Sequence, residues 1–347
     1  MSPEQQQQSS GNAEGEQRPN APQANPTKCW EPSLDGSLGK DVVAFKFGGS
    51  SLAGAERMMR SASLVREAAE SSPIVVVVSA MKGMTDRLLA IGQSLAQTRT
   101  LAARSEALAI VAQHLAVLRE LKLSSSDYDQ FSHELQLLSR DLLHEIPSYG
   151  HVAVNSATYD RLASFGERFA ARLFAAALLA AGVTAVPVAS SDFVLTCDTF
   201  QAARPDLEHT RRRGRQVLLP LLQAGIVPVI TGFIGATPDG RITTLGRNSS
   251  DYSGALIAHV VDAAELVIWT DVDGIYTSNP KESDEAKLLQ ELSYDEAHAL
   301  ASNGAKVLHP HVLPLAAQSG MTVWIRNTFK PQARGTRIGA QANGGAA

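Results

Sequence analysis

The sequence lacks the features that mark several large classes of protein. It has only two cysteines, Cys29 and Cys197, in 347 residues. Two cannot make a disulfide framework, and neither stands at metal-ligand spacing, so a reducing, cytoplasmic setting is expected. Positive charge is not in excess: 31 Lys and Arg against 35 Asp and Glu leave a formal net charge of -4. That balance argues against a nucleic-acid partner and against a membrane surface. The one basic cluster, Arg211-Arg212-Arg213, reads as a solvated helix face. No uninterrupted apolar run reaches transmembrane length. The longest candidate, 169–186, is alanine-rich and contains Arg172, so it reads as a buried helix. The first residues have no apolar signal core. Three familiar nucleotide signatures are missing as well. There is no G-x-x-x-x-G-K-[ST] loop, no G-x-G-x-x-G after a strand, and neither an H-R-D nor a D-F-G element.

What is present is an ordinary globular composition, 44% hydrophobic, preceded by a polar tail. Residues 1–40 are rich in Gln, Pro, Ser and Asn and are expected to be disordered. Glu4, Glu14 and Glu16 argue against an organelle transit peptide, which is usually acid-poor. From there strands and helices alternate. An apolar strand at 42–47 ends at Gly48-Gly49, and Ser50 and Ser51 can cap the helix behind it. IVVVVS at 74–79 has the continuous apolar character of a buried parallel strand, with Gly83 as a turn and Thr85 as a cap for the next helix.

Helical territory is expected at 100–143, 156–181 and 205–224, and strands at 183–189 and 226–234. Thr237-Pro238-Asp239-Gly240 followed by a strand at 241–245 predicts a hairpin. A loop opening a helix, the strand LVIWT, a helix at 288–302, a further loop and helix, the strand MTVWIRNT and a short strand at GTRI complete the chain. This alternation predicts an α/β fold with a largely parallel sheet.

The polar side chains gather at strand ends, where open α/β sheets place their ligand sites. Lys46 with Gly48-Gly49 offers a positive charge beside a backbone that a ligand can approach closely. Further groups are Ser79 to Thr85, Gly166-Glu167-Arg168 inside an apolar helix, Gly246 to Asp251 opening a helix, Thr270 to Gly274 with Tyr276, and Gly304-Ala305-Lys306. Glycine turns, two lysines and separated carboxylates suggest phosphate chemistry on an architecture other than the P-loop.

KFGGSS, VVVSAMKGMTDRL, SFGERFAA, LGRNSSDYSGAL, WTDVDGIYTSNP and GAKVLHP occur in the order found in aspartate kinases. Over about 42–339 the chain resembles the catalytic domain of that family, a branch of the amino acid kinases. The wording is closest to the kinase half of aspartokinase–homoserine dehydrogenases. The resemblance implies an amino acid kinase (carbamate kinase-like) fold over 41–340, with an amino-acid-binding lobe at about 41–235 and a nucleotide-binding lobe at about 236–340. It implies ATP-dependent phosphorylation of the side-chain carboxylate of L-aspartate, the first step of lysine, threonine and methionine biosynthesis.

On that resemblance Lys46, Gly48, Gly49 and Asp251 are catalytic. Ser50, Ser79, Ala80, Thr85, Glu167, Arg247 and Ser250 bind aspartate. Lys46, Gly48, Gly49, Thr270, Asp271, Tyr276 and Lys306 bind ATP. No protein-held metal site is implied, Mg2+ arriving mainly through the ATP phosphates. Glu167 suits the substrate ammonium and Arg247 a carboxylate. Trp269 reads as core and His309 as structural. Three departures from the family wording are Ser50 in place of a common threonine, Asn248-Ser249-Ser250 in place of a glycine-rich loop, and Asn279-Pro280-Lys281 in place of Asp-Pro-Arg.

No ACT domain is expected after 340, and with it insensitivity to lysine and threonine. A homodimer is left open. Two other readings remain at this point: a kinase for glutamate or N-acetylglutamate, and a non-catalytic module that pairs with a full enzyme.

Overall fold

A computed structural model describes residues 42–147, 153–278, 285–302 and 308–340. The expected tail, Asn279-Pro280-Lys281 and Lys306 lie outside them. In chain order the elements are β1 (Val43–Phe47), α1 (Ala55–Ala69), β2 (Ile74–Val78), α2 (Met84–Ala96), α3 (Thr100–Glu120), α4 (Ser125–His144), α5 (Ser156–Ala180), β3 (Ala185–Val188), α6 (Leu207–Gln223) and β4 (Val227–Thr231). They continue with β5 (Ile234–Ala236), β6 (Ile242–Thr244), α7 (Ser250–Val260), β7 (Glu265–Thr270), β8 (Ile275–Tyr276), β9 (Leu288–Leu289), β10 (Glu291–Ser293), α8 (Tyr294–Ser302), α9 (Val312–Ser319), β11 (Thr322–Asn327) and β12 (Thr336–Gly339).

The sheet is eight-stranded, in the order β10-β12-β11-β7-β1-β2-β4-β3. All its pairs are parallel except β11 with β12. β1 lies at its middle, in register with β2 on one side and β7 on the other. Such a strand is buried on both faces and must be apolar on both, as VAFKF and IVVVV are, with one exception at Lys46. Side chains alternate across the sheet. Phe45 and Phe47 join the layer of α1 to α5, where they pack on Phe174 and Trp269. Ala44 joins the opposite layer, under α6, α7 and α9. By the same alternation Lys46 falls on the α7 side.

Helix starts obey local chemistry, though not always with the expected residues. Asn155 and Thr158 form a capping box on α5, and the Ser124 and Asp206 side chains cap α4 and α6. Such caps are worth about 1 kcal/mol each. Ser50, Ser51 and Thr85 do not cap. Gly54 and Gly83, at φ 101° and 82°, precede α1 and α2 instead. Ser51 is buried and pairs with Thr328 Oγ1 at 2.7 Å, while Ser50 and Ser51 belong to a short 3-10 turn over Gly49–Leu52.

The stretch 100–143 divides into α3 and α4, because Leu121 to Ser124 turn extended. The strand expected at 226–234 is cut in two by Gly232-Phe233, where Phe233 takes φ 68°. Leucine-rich 288–293 forms β9 and β10 before α8 begins, so helix starts six residues later than the pattern predicts. The hairpin appears as β5 paired antiparallel with β6. The arginine cluster is not merely solvated. Arg211 holds Asp262 through both carboxylate oxygens, at 2.7 and 2.8 Å, and also reaches the His259 carbonyl.

α5 is the long buried helix, its alanines packed against the sheet and against neighbouring helices. One described helix, α3, has the length and apolar composition of a membrane span despite Arg104 and Glu106, and it lays Ala107, Ile110, His114 and Leu118 into the core.

Candidate active site

The C-terminal ends of β1, β2, β4 and β7 open into a cleft of about 1660 Å³. Lys46 leaves the last full turn of the β1 pleat on the α7 side, 6% exposed, and its Nζ lies 2.6 Å from Asp251 Oδ1. Asp251 sits in the first turn of α7, where the helix dipole favours a carboxylate. Gly254, one turn further on, leaves the room this pair needs. A Cβ there would stand 3.1 Å from Lys46 Cβ.

The glycine turn after β1 is partly committed to the backbone around it. The Gly48 N–H donates to the Trp269 carbonyl at 3.1 Å, since the β1–β7 ladder runs one residue beyond the strand. The Gly49 carbonyl accepts from Lys82 N–H at 3.1 Å, and a Cβ on Gly49 would lie 2.6 Å from the Ala80 carbonyl oxygen. The loops after β1 and β2 are therefore in backbone contact. With the ATP-binding role that the resemblance implies for Gly49, Gly49→Ala is expected to raise KM for ATP about tenfold or more, because two backbones must separate to admit a methyl group. Steady-state kinetics check this, and a KM for ATP within twofold of the parent protein contradicts it.

Across the cleft α5 comes close to the loop after β2. Gly166 permits the approach, as a Cβ would meet Ala80 Cβ at 2.7 Å. The next residue, Glu167, is 3% exposed. The Ala80 backbone amide donates to its carboxylate, and Oε2 has no hydrogen-bond partner. Burial pushes this carboxyl up to about 8, against the opposing pull of the Ala80 amide and of Lys46. The adjacent Arg168 faces elsewhere, onto Asp141 at 3.3 Å, so the two side chains are not a local pair.

Arg247 reaches the cleft from the loop between β6 and α7. Its Nη2 lies 2.5 Å from Asp86 Oδ1, and both side chains are more than two-thirds exposed, at 76% and 72%. An ion pair that wet contributes about 0–1 kcal/mol, so a ligand carboxylate can compete for the fork. Asn248 holds the loop in the left-handed region, φ 62°, which asparagine tolerates better than most residues. Ser79 Oγ donates to Ser250 Oγ at 2.9 Å, tying this loop to the end of β2.

Ala80, Thr85, Thr270, Asp271 and Tyr276 also line the cleft, as does His309. Ser50 is not brought to its wall; its carbonyl accepts from Arg57 Nη1 at 2.9 Å. Trp269 is 3% exposed and packed between Phe45 and Phe47, as core.

A sequence model described as the amino acid kinase family matches residues 41–327. The chain belongs to the amino acid kinase family. Lysine-sensitive aspartokinase 3 of Escherichia coli is 35% identical over 299 residues, which is 86% of this chain and 64% of that protein. An aspartokinase of Chlamydia pneumoniae is 33% identical over 85% of this chain and 62% of its own length. The chain thus spans less than two thirds of these relatives. Among solved structures, Escherichia coli aspartokinase III in complex with aspartate and ADP superposes with a TM-score of 0.79. It is 33% identical over 87% of this chain and 65% of that one. UMP kinase of Bacillus anthracis, 16% identical with a TM-score of 0.50 over 87% of this chain and 97% of that one, shares the fold alone.

Several residues of this amino acid kinase take places that the sequence did not assign to them. Asp86 faces Arg247. Phe233 lines the cleft in a left-handed conformation that costs a bulky residue about 1–3 kcal/mol, held by Ser253 Oγ on its N–H at 2.7 Å and by Leu245 N–H on its carbonyl at 2.9 Å. Asp273 anchors the 271–274 turn through Asn327 at 2.5 Å and Lys330 at 2.9 Å, and these donors hold its carboxyl below the ordinary carboxylate range. Asp160, 1% exposed, accepts from the Thr244 and Gln201 backbones. In the sequence Asp160 stands beside Arg161, which in the fold pairs with Glu145 at 3.0 Å instead.

Proposed function

We propose that this chain transfers the γ-phosphoryl group of ATP to the side-chain carboxylate of L-aspartate, giving 4-phospho-L-aspartate and ADP. The observation that carries the reading is the Glu167 carboxylate, buried with an unpartnered oxygen in the cleft that also holds Arg247 and the Lys46–Asp251 pair. An α-amino acid with a second carboxylate has one ammonium and two anions. Glu167 answers the first, and Arg247 answers an anion with a planar fork. The aspartokinase names of the relatives, and the aspartate and ADP bound to the solved neighbour, support the same substrates.

In the reaction a carboxylate oxygen attacks the γ-phosphorus while the bond to the β-phosphate oxygen breaks and ADP leaves. The nucleophile is already ionised at neutral pH, so no general base is required. The task is to bring anions together and to hold them in line. Lys46 meets the phosphoryl oxygens, and Asp251 keeps its ammonium pointed at them. Gly49 supplies a backbone N–H, and Gly48 a wall thin enough for close approach. Ser79, Ala80, Thr85 and Ser250 close the amino-acid side, joined there by Arg247 from beyond residue 235. Thr270, Asp271 and Tyr276 take the nucleotide side.

Mg2+ binds through one or two carboxylates plus substrate phosphates rather than an all-protein cage. No cluster of three or more His, Cys, Asp or Glu occurs among the described residues, while Asp251 and Asp271 border the cleft, a donor set that fits such an ion. When bound, it neutralises phosphate charge.

The test is ATP- and Mg2+-dependent acyl-phosphate formation, trapped with hydroxylamine, with aspartate, glutamate and N-acetylglutamate as acceptors. Product with aspartate alone is expected. Product only with another acceptor moves the activity to a sister kinase, and silence with all three in a folded, ATP-binding protein rules catalysis out.

A further inference from the structure

We propose that Asp160 is a positioning residue that sets the distance between the two aspartate anchors, Glu167 and Arg247. The proposal rests on the roles given to those two side chains above. Asp160 stands on α5 seven residues before Glu167, two helical turns, so both project from one face of the helix. It is 1% exposed and has no basic partner among the described ion pairs.

Three donors from two other segments converge on its carboxylate. Thr244 N–H reaches Oδ2 at 2.8 Å, Thr244 Oγ1 reaches Oδ1 at 2.8 Å, and Gln201 N–H reaches Oδ2 at 2.9 Å. Thr244 is the last residue of β6, three before Arg247. Gln201 takes φ 67°, and its carbonyl lies 3.5 Å from where a Cβ on Gly246 would be, Gly246 itself having φ 98°. The carboxylate therefore grips both the strand that leads to Arg247 and the turn on which the Arg247 loop rests.

A carboxylate suits the position, its three hydrogen bonds working against the burial that raises the Asp160 carboxyl above its ordinary value. All three partners donate, and a carboxylate is the side chain that accepts at every lone pair. An asparagine places its NH2 against at least one of these donors, leaving a buried N–H or O–H unpaired. The Arg247 loop then shifts relative to α5. Displacements near 1 Å of a group that orients substrate cost about 10²-fold in rate or affinity. The nucleotide side is spared, since Thr270, Asp271 and Tyr276 hang from β7 and β8.

Asp160→Asn in the full chain is expected to raise KM for aspartate roughly 10- to 100-fold while KM for ATP stays within about twofold. Thr244→Val, which deletes only the hydroxyl donor, is expected to raise KM for aspartate several-fold with the same selectivity, and it decides the matter if Asp160→Asn does not fold. Unchanged KM for aspartate in the folded variants overturns the proposal. So does a parallel rise for aspartate and ATP, the mark of general loosening. The parent protein's own turnover reads the substrate assignment separately. If it prefers another acceptor, the same comparison of acceptor and ATP is made on that acceptor.

Discussion

Lys46→Ala is expected to lower kcat by about 10²–10³, the scale for removing one preorganised donor to transition-state charge. The buried end of a central strand is an expensive place for an ammonium, and what makes it tolerable here is Asp251 at 2.6 Å. Breaking a buried pair by removing one partner leaves the other uncompensated. Asp251 is about one-fifth exposed, so water takes up part of that cost and the variant should still fold. The kinetic loss is therefore expected mainly in kcat, because Lys46 acts on the transferring group, with a smaller rise in KM for aspartate because Glu167 loses the positive charge that helps it ionise. Lys46→Arg is a sharper form of the same test. A guanidinium is a planar fork and not a compact point charge, so it does not reproduce the 2.6 Å ammonium contact with Asp251, and charge alone should not restore turnover. A Lys46→Ala variant with near-parent kcat removes Lys46 from the chemistry.

Much of this arrangement could be read in the sequence, for reasons that differ from residue to residue. The β1 and β2 strands were legible because a doubly buried parallel strand must be apolar without alternation, and Lys46 stood out against that rule. Asp251 at a helix start, and Glu167 on the family motif, were likewise visible. The orientation of Glu167 was not visible. A neighbouring Arg168 suggests a local pair, and only the fold sends one to the cleft and the other to Asp141. Serine and threonine near a helix start invite a cap assignment, yet Gly54 and Gly83 took those positions because the chain turns there through positive φ. Asp86 and Asp160 escaped notice for a further reason. Each gains its meaning from a residue more than forty positions away, Arg247 or the Gln201 and Thr244 backbones, and no local pattern carries that information.

Glu167→Gln is expected to raise KM for aspartate roughly 10- to 100-fold, the worth of a charge-assisted hydrogen bond to the substrate ammonium. It is also expected to remove a pH dependence. In the free protein burial raises the Glu167 carboxyl to about 8 from 4.5, so at pH 7 it is mostly protonated. The ammonium of aspartate requires the carboxylate, and binding must therefore expel that proton. Lys46 on β1, with Asp251 beside it on α7, is the charged pair that shares this side of the cleft, and Lys46 assists the ionisation. It follows that KM for aspartate falls about tenfold per pH unit as pH rises toward 8 and then levels.

Folding stability carries the opposite sign. A carboxyl whose folded value lies above its unfolded one costs nothing below pH 4.5, where both states are protonated. Its penalty grows through the interval and is complete above about 8. The neutral glutamine pays none of it. Glu167→Gln should then melt no lower than the parent protein at pH 5, gain on it as pH rises toward 8 and hold that gain above, while its KM for aspartate stays high and flat across the same range. A glutamine variant whose KM still falls with pH assigns the titration to another group and removes Glu167 as the ammonium anchor.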